Sequence, residues 1–226
     1  MINLIPTVQK SNPLAEGVNP ISNRVESRTQ KVGAYLEQYK NRLNNILDEI
    51  NADVLTEVVE AMLYAFKHKK TVYVIGNGGS AATASHMQAD FSFFVRYFTK
   101  FRPRIIALTD NVAIITAVGN DNSFEDIFVE QMRGRFGEGD VLIAISASGN
   151  SPNLVKAAEY ANSLGGTTIA FTGFEGGKLK EISHIPLYTP NAKGDYGPIE
   201  DVHMCINHIL VNYLSTDEEF LSISSH

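Results

Sequence analysis

Five short apolar runs, rich in β-branched residues, mark the last two-thirds of the chain: Thr71–Ile75, Pro103–Leu108, Val141–Ile145, Thr167–Phe171 and Ile185–Thr189. Runs of this length, bounded by Gly, Asn, Asp and Ser, read as buried strands. Between them, apolar residues recur at three- and four-residue steps. That spacing predicts helices over 81–94, 123–136, 152–164 and 199–214, with shorter ones near 110–119 and 176–182. Strands alternating with helices predict an α/β fold, a five-stranded parallel sheet covered on both faces.

Ahead of the first strand the pattern is helical throughout. Val32, Tyr35, Leu36, Tyr39, Leu43, Ile46, Leu47 and Ile50 form one stripe. Asn51 and Asp53 break it and cap a second helix carrying Val54, Val58, Met62 and Phe66. These two helices pack either on the chain's own core or on a second copy, and an oligomer interface is the favoured reading. Residues 1–22 are rich in Asn, Ser and Pro, with Pro6, Pro13 and Pro20 breaking any regular element, so a mobile arm is expected there. The layout is therefore an arm over 1–22, helices over 23–70 and an α/β part over 71–216, with 23–216 forming one compact domain. The final SISSH is expected to fray.

Chemistry is concentrated where strands end. Val141–Ile145 runs into Ser146-Ala147-Ser148-Gly149-Asn150-Ser151, and Pro152 then opens a helix. A helix N-terminus presents unpaired N–H groups and partial positive charge, and it attracts anions. With three hydroxyls added, the loop suits a phosphate monoester; the plain alternative is a capped helix without a ligand. Two further loops, Gly76-Asn77-Gly78-Gly79-Ser80 and Thr109-Asp110-Asn111, also leave carboxyl ends of strands, where open parallel sheets bind ligands. Gly76 to Ala81 fits G-x-G-x-x-A, but the acid expected about 20 residues on arrives too late at Asp110, so no nucleotide cofactor is expected.

Composition narrows the partners. With 226 residues, 44% hydrophobic, the chain can bury one sizeable core. A net charge of -6 argues against nucleic acid. No apolar run approaches ~18 residues, so no membrane span is expected, and the N-terminus does not read as a secretory signal. The single cysteine, Cys205, suits a reducing cytoplasm.

The helix after Gly79 carries His86 and Asp90, at i and i+4 on one face. Such a pair can bind a metal, divide acid and base roles, or make an ordinary side-chain hydrogen bond. The last helix carries Glu200, Asp201, His203 and His208. Glu200 and His208 lie about 80° apart around a helix axis and about 12 Å apart along it, so one straight helix does not bring both to the same ion. Either Glu200 precedes the helix, or the two serve different copies of the site.

Taken together, GNGGSAATASH, AVGND with SFEDIF, GDVLIAISASGNSPN, FTGFEGGKL and EDVHMCINH resemble the SIS-domain proteins, and among them the phosphoheptose isomerases, across roughly residues 50–215. The resemblance implies a flavodoxin-like five-stranded parallel sheet. It implies a homotetramer with active sites between subunits, acting on sedoheptulose 7-phosphate or a similar sugar phosphate, some members with one zinc ion per site. It places the phosphate on Ser146, Ser148 and Ser151, and the sugar on Asn77, Gly78, Gly79, Ser80, Asp121 and Glu200. It makes His86, Asp90, Glu200 and His208 a metal set. Asp90 stands where the family has a glutamate, Glu200 where it has a glutamine, Ala147 where a threonine is common, and Gly197 where an aspartate is frequent. The Arg96-Tyr97 pair is displaced by an insertion.

The expected activity is interconversion of a ketose phosphate and an aldose phosphate through an enediol, with Asp90 and His208 as the acid/base pair. The alternative is a non-catalytic phosphosugar-binding regulator or adaptor on the same fold.

Overall fold

The computed structural model describes residues 20–223, with side chains described at Val25 and from Arg28 onward. The chain divides between Lys40 and Asn41 into two compact units, and the division falls inside the first helix, α1 (Pro20–Asp48). In the first unit Val25, Val32 and Leu36 are exposed, and Glu37 pairs with Lys40 at 2.8 Å. Of the arm expected over 1–22, residues 1–19 lie outside the described residues, as do 224–226 of the expected frayed tail. Pro20 opens the helix instead of breaking it, because its fixed φ and missing N–H suit a first helical turn.

The second unit, Asn41–His226, contains everything else. Asn51 caps α2 (Ala52–Lys67), its Oδ1 accepting from the N–H groups of Asp53 and Val54. The sheet and its helices then follow: β1 (Val72–Gly76), α3 (Gly79–Phe93), β2 (Ile105–Ala107), α4 (Val112–Asp121), α5 (Val129–Met132), β3 (Val141–Ser146), α6 (Pro152–Ser163), β4 (Thr167–Thr172), α7 (Gly177–Ile182), β5 (Ile185–Tyr188), α8 (Tyr196–Leu214) and α9 (Glu218–Leu221). The five strands are all parallel, in the order β2-β1-β3-β4-β5.

Alternate strand residues feed two cores. Val72, Val74, Val141, Ile143, Ile145, Ile169 and Phe171 face a layer containing α2, α3, α8 and α9, where Met62, Phe66, Phe91 and Phe220 are fully buried. Tyr73, Ile75, Leu142, Ala144 and Ala170 face the layer with α5, α6 and α7. Burying each such large side chain contributes roughly 1.5–3 kcal/mol. The second predicted helix therefore packs on the chain's own core: Val58, Val59, Met62, Leu63, Ala65 and Phe66 of α2 are all buried. Residue 70 marks no domain boundary.

One predicted element is broken. In place of a helix over 123–136 the chain makes a 3₁₀ turn, Phe124–Asp126, and the one-turn α5. Ile127, Phe128, Val129, Gln131 and Met132 are all buried, which no single helix face allows. The buried Gln131 amide donates to Leu108 O (2.9 Å) and Ile127 O (2.8 Å), and Gly134 turns the chain at φ +70.

Strand order reverses between β1 and β3, the place where a crevice opens at the carboxyl ends of a doubly wound sheet. Beneath it, His203 of α8 is fully buried against Phe171 of β4, their ring centroids 6.3 Å apart. Burial pushes its imidazole down from 6.5 to about 4, and the Thr172 backbone pulls the other way without a full hydrogen bond, so neither ring nitrogen has a partner. The folded state thus holds the neutral form. This stability is present above the unfolded value near 6.5 and is lost as pH falls from there toward 4. His203→Gln is expected to remove that dependence. Thermal melts at pH 7 and pH 5 check it, and the wild type should lose more Tm than the variant.

Candidate active site

The two loops that leave β1 and β3 meet at the crevice. Residue by residue, β1 pairs with β3 up to Gly76 opposite Ile145, so Asn77 and Ser146 emerge side by side. A cleft of about 150 Å³ opens there, lined by Asn77, Ser80, Ser146, Ser148, Ser151, Tyr196 and Glu200 over a floor of Ile145, Ala147 and Leu154. Among the described residues no Lys or Arg lines it. A phosphate would meet neutral donors and the N-terminus of α6, where Pro152 occupies the first turn and the Ser151 hydroxyl makes no cap bond.

The serine loop is held by its own backbone. The Gly149 N–H donates to Ser146 Oγ at 3.1 Å, and the Asn150 N–H to Ser148 Oγ at 3.3 Å. Gly149 sits at φ +65, and a Cβ there would lie 1.8 Å from the Gly176 carbonyl oxygen, so only glycine fits. Its carbonyl accepts from Leu179 N–H and Asn150 Oδ1 from Lys178 N–H, both at 2.9 Å, which fastens the loop to α7.

Asn77 and Asn153 tie the two loops together. Their amides exchange a reciprocal pair of hydrogen bonds, each 2.9 Å, and Asn153 Oδ1 also accepts from Leu154 N–H at 3.0 Å. Sequence reasoning missed Asn153; the Asn at the start of a helix directly after Ser-Pro was its only signal. Tyr196 was missed too, because the helix begins there and not at Ile199.

Glu200 lies inside α8, one turn from its start, and faces the first residue of α3. A Cβ on Gly79 would stand 2.2 Å from Glu200 Oε2, so glycine is what lets the carboxyl reach the helix terminus. Burial first, and the Asp201 charge second, raise this carboxyl above its usual value.

The second cluster lies further along the same two helices. His86 Nε2 and His208 Nε2 are 3.1 Å apart; Asp90 Oδ2 is 3.3 Å from the former and 3.9 Å from the latter. A tetrahedral zinc with nitrogen and oxygen ligands at roughly 2.0–2.2 Å needs ligand atoms about 3.3 Å apart. The donor set fits such an ion with a fourth position open, the arrangement of a catalytic metal site. Glu200 is not in this group. It sits on the same helix about 12 Å along the axis from His208, so one chain gathers three of the four expected ligands.

Other expected contributors stay outside the cleft. Asp121, the last residue of α4, is exposed, and its carboxylate accepts from the Asn120 amide at 2.8 Å. The Thr109–Asn111 turn is tied to α3: Asp110 accepts from the Ser85 hydroxyl and from Gln88 Nε2 at 3.2 Å. Thr109 also meets the Ser85 hydroxyl at 3.0 Å, and Asn111 Oδ1 accepts from Ile114 N–H to cap α4. Gly78 opens α3 at φ +56 and does not line the cleft.

Geometry and loops define an α/β protein with a hydroxyl-lined cleft at the switch in strand order, suited to an anion. Residues 34–173, more than half the chain, match the SIS domain family. The chain is 36% identical over 199 residues to the phosphoheptose isomerase of Clostridium acetobutylicum, covering 87% of this chain and 92% of the relative. It is 40% identical over 164 residues to that of Aquifex aeolicus, covering 72% and 83%. A solved phosphoheptose isomerase from Francisella tularensis superposes with a TM-score of 0.75 at 30% identity, covering 84% of this chain and 99% of that one. The chain belongs to the SIS-domain family and, within it, to the phosphoheptose isomerases, which are aldose–ketose isomerases. The reading as a non-catalytic adaptor is not favoured by these relatives.

The Asn77–Asn153 pair should carry the cleft's shape. Asn153→Ala strands a half-buried amide and is expected to cost about 1–3 kcal/mol in urea unfolding.

Proposed function

We propose that this protein interconverts a ketose phosphate and an aldose phosphate, on a substrate like sedoheptulose 7-phosphate, through an enediol. The observation that carries the reading is the serine cleft at the strand-order switch, with a His-Asp-His cluster on the two helices that wall it. Ser146, Ser148 and Ser151, with the N-terminus of α6, hold the phosphate. The Asn77–Ser80 turn borders the sugar through Asn77 and Ser80, and Tyr196 adds to the same lining. Asp90 or His208 takes the proton from the carbon next to the open-chain carbonyl, and the other returns a proton to the neighbouring carbon.

Zinc held by His86, Asp90 and His208 would polarise a substrate carbonyl oxygen and stabilise the negative charge that develops on it. His208 Nε2 and Asp90 Oδ2 are each atoms that a metal and a proton would compete for, so a loaded site would leave proton transfer to the second oxygen of Asp90 and to groups around it.

The distance along α8 between Glu200 and His208 supports an oligomer, a tetramer by family resemblance, in which neighbouring copies complete each other's sites. Glu200 and Asp121 then serve a site whose acid/base pair belongs to another copy. The exposed apolar residues of α1, Val25, Val32 and Leu36, are surface suited to such an assembly. A reducing cytoplasm fits the lone Cys205.

Mixed oligomers test the shared site. Asp90→Asn and Ser148→Ala are each expected to lower kcat/KM by at least about 100-fold as pure proteins. Unfolding and refolding the two together should restore up to about a quarter of wild-type turnover, because some mixed sites draw both intact residues from different copies. No recovery in a verified mixed oligomer would assign each site to one chain.

A further inference from the structure

Asn207 is fully buried on the face of α8 that also buries Val202, Ile206, Leu210 and Val211. A polar side chain at such a place costs stability unless its groups are bonded. Asn207 satisfies only half of its amide. Nδ2 donates to Asp90 Oδ2 at 2.7 Å, while Oδ1 is buried without a partner. A carboxylate offers only lone pairs, so the nitrogen must be the atom that faces it. A leucine would fill the same space with no orphaned oxygen, so packing does not account for the asparagine.

The bond accounts for it. Asp90 projects from α3 on two soft torsions, the second broad and nearly two-fold. Its Oδ2 is the atom that lies 3.3 Å from His86 Nε2 and 3.9 Å from His208 Nε2. Asn207 precedes His208 on α8, so one helix turn presents both the amide that grips Asp90 and the imidazole beside it. The amide is immobilised by the core around it, and it transmits that rigidity across the α3–α8 contact to a carboxylate that is itself partly open to solvent. His86 and His208 are both exposed and offer no comparable anchor.

We propose that Asn207 is the positioning residue for Asp90, fixing the carboxylate's plane for proton transfer. The inference rests on the reading of Asp90 as an acid/base group. The test is steady-state kinetics and thermal melting of Asn207→Leu and Asn207→Ser, alone and combined with Asp90→Asn. In the wild-type background kcat is expected to fall about 10- to 100-fold, with KM held within about twofold. Tm of the leucine variant should not fall, since it removes a buried unsatisfied oxygen. In the Asp90→Asn background the same substitution should cost nothing further. The serine variant, which shortens the side chain and keeps it polar, is read the same way if the leucine variant does not fold.

Wild-type kcat in Asn207→Leu, a kcat loss that tracks a lower Tm, or a full additional penalty on top of Asp90→Asn would each overturn the proposal. Full turnover by Asp90→Asn alone would instead overturn the role of Asp90, and the inference would fall with it.

Discussion

The pairing of β1 with β3 is the constraint on which the rest depends. These strands are neighbours in the sheet yet distant in the chain, and their parallel register brings Gly76 and Ile145 to the same level. Each strand must then exit into a loop at one edge of the sheet, and the helices that follow diverge to opposite faces: α3 to one layer, α6 to the other. A crevice between them is unavoidable. What the sequence adds is a filling of that crevice with small residues and neutral donors, and a reciprocal amide pair that holds the two loop ends at a fixed separation.

A second consequence follows from the same topology. Both α3 and α8 lie on one face of the sheet, and Gly79 facing Glu200 at one level, with Asp90 facing Asn207 at another, shows them running side by side in the same direction. Helical geometry then fixes the spacing of everything they carry. Residues a turn apart cooperate, as His86 and Asp90 do; residues two turns apart do not. The polar contents of this seam fall into two groups for that reason, one against the phosphate cleft and one around the histidines. Asn207 is fully buried on α8 and bonds across this seam to Asp90, which marks it as chemistry and not packing.

The strands were legible because fully buried parallel strands write themselves as continuous β-branched runs, and α2, α6 and α8 because their apolar spacing is regular. Segment 123–136 misled because its apolar residues are consecutive: they satisfy a helical count without defining a face, and the chain buries them with a turn. The cleft was readable at Ser146, Ser148, Ser151, Asn77 and Ser80, since loop residues at strand ends have few other tasks. Asn153 and Asn207 were not. A polar residue inside a helical pattern carries no mark of the face it occupies until its partner on another element is known. Asp121 was named through family resemblance and Glu200 first from its place on the last helix; among the described residues the histidine cluster gathers only Asp90. For Glu200 the separation follows from its eight-residue spacing to His208 on one straight helix.

The most direct measurement is proton exchange at carbon. The protein would be incubated with sedoheptulose 7-phosphate in deuterated water and the carbon-bound positions next to the carbonyl followed by NMR. An enediol route predicts deuterium at the carbon that receives the returned proton in the aldose product, and slow wash-in to recovered ketose. Turnover to the aldose with complete retention of the original hydrogen would contradict the account, because a proton removed by one side chain and another returned by a second cannot conserve the original hydrogen.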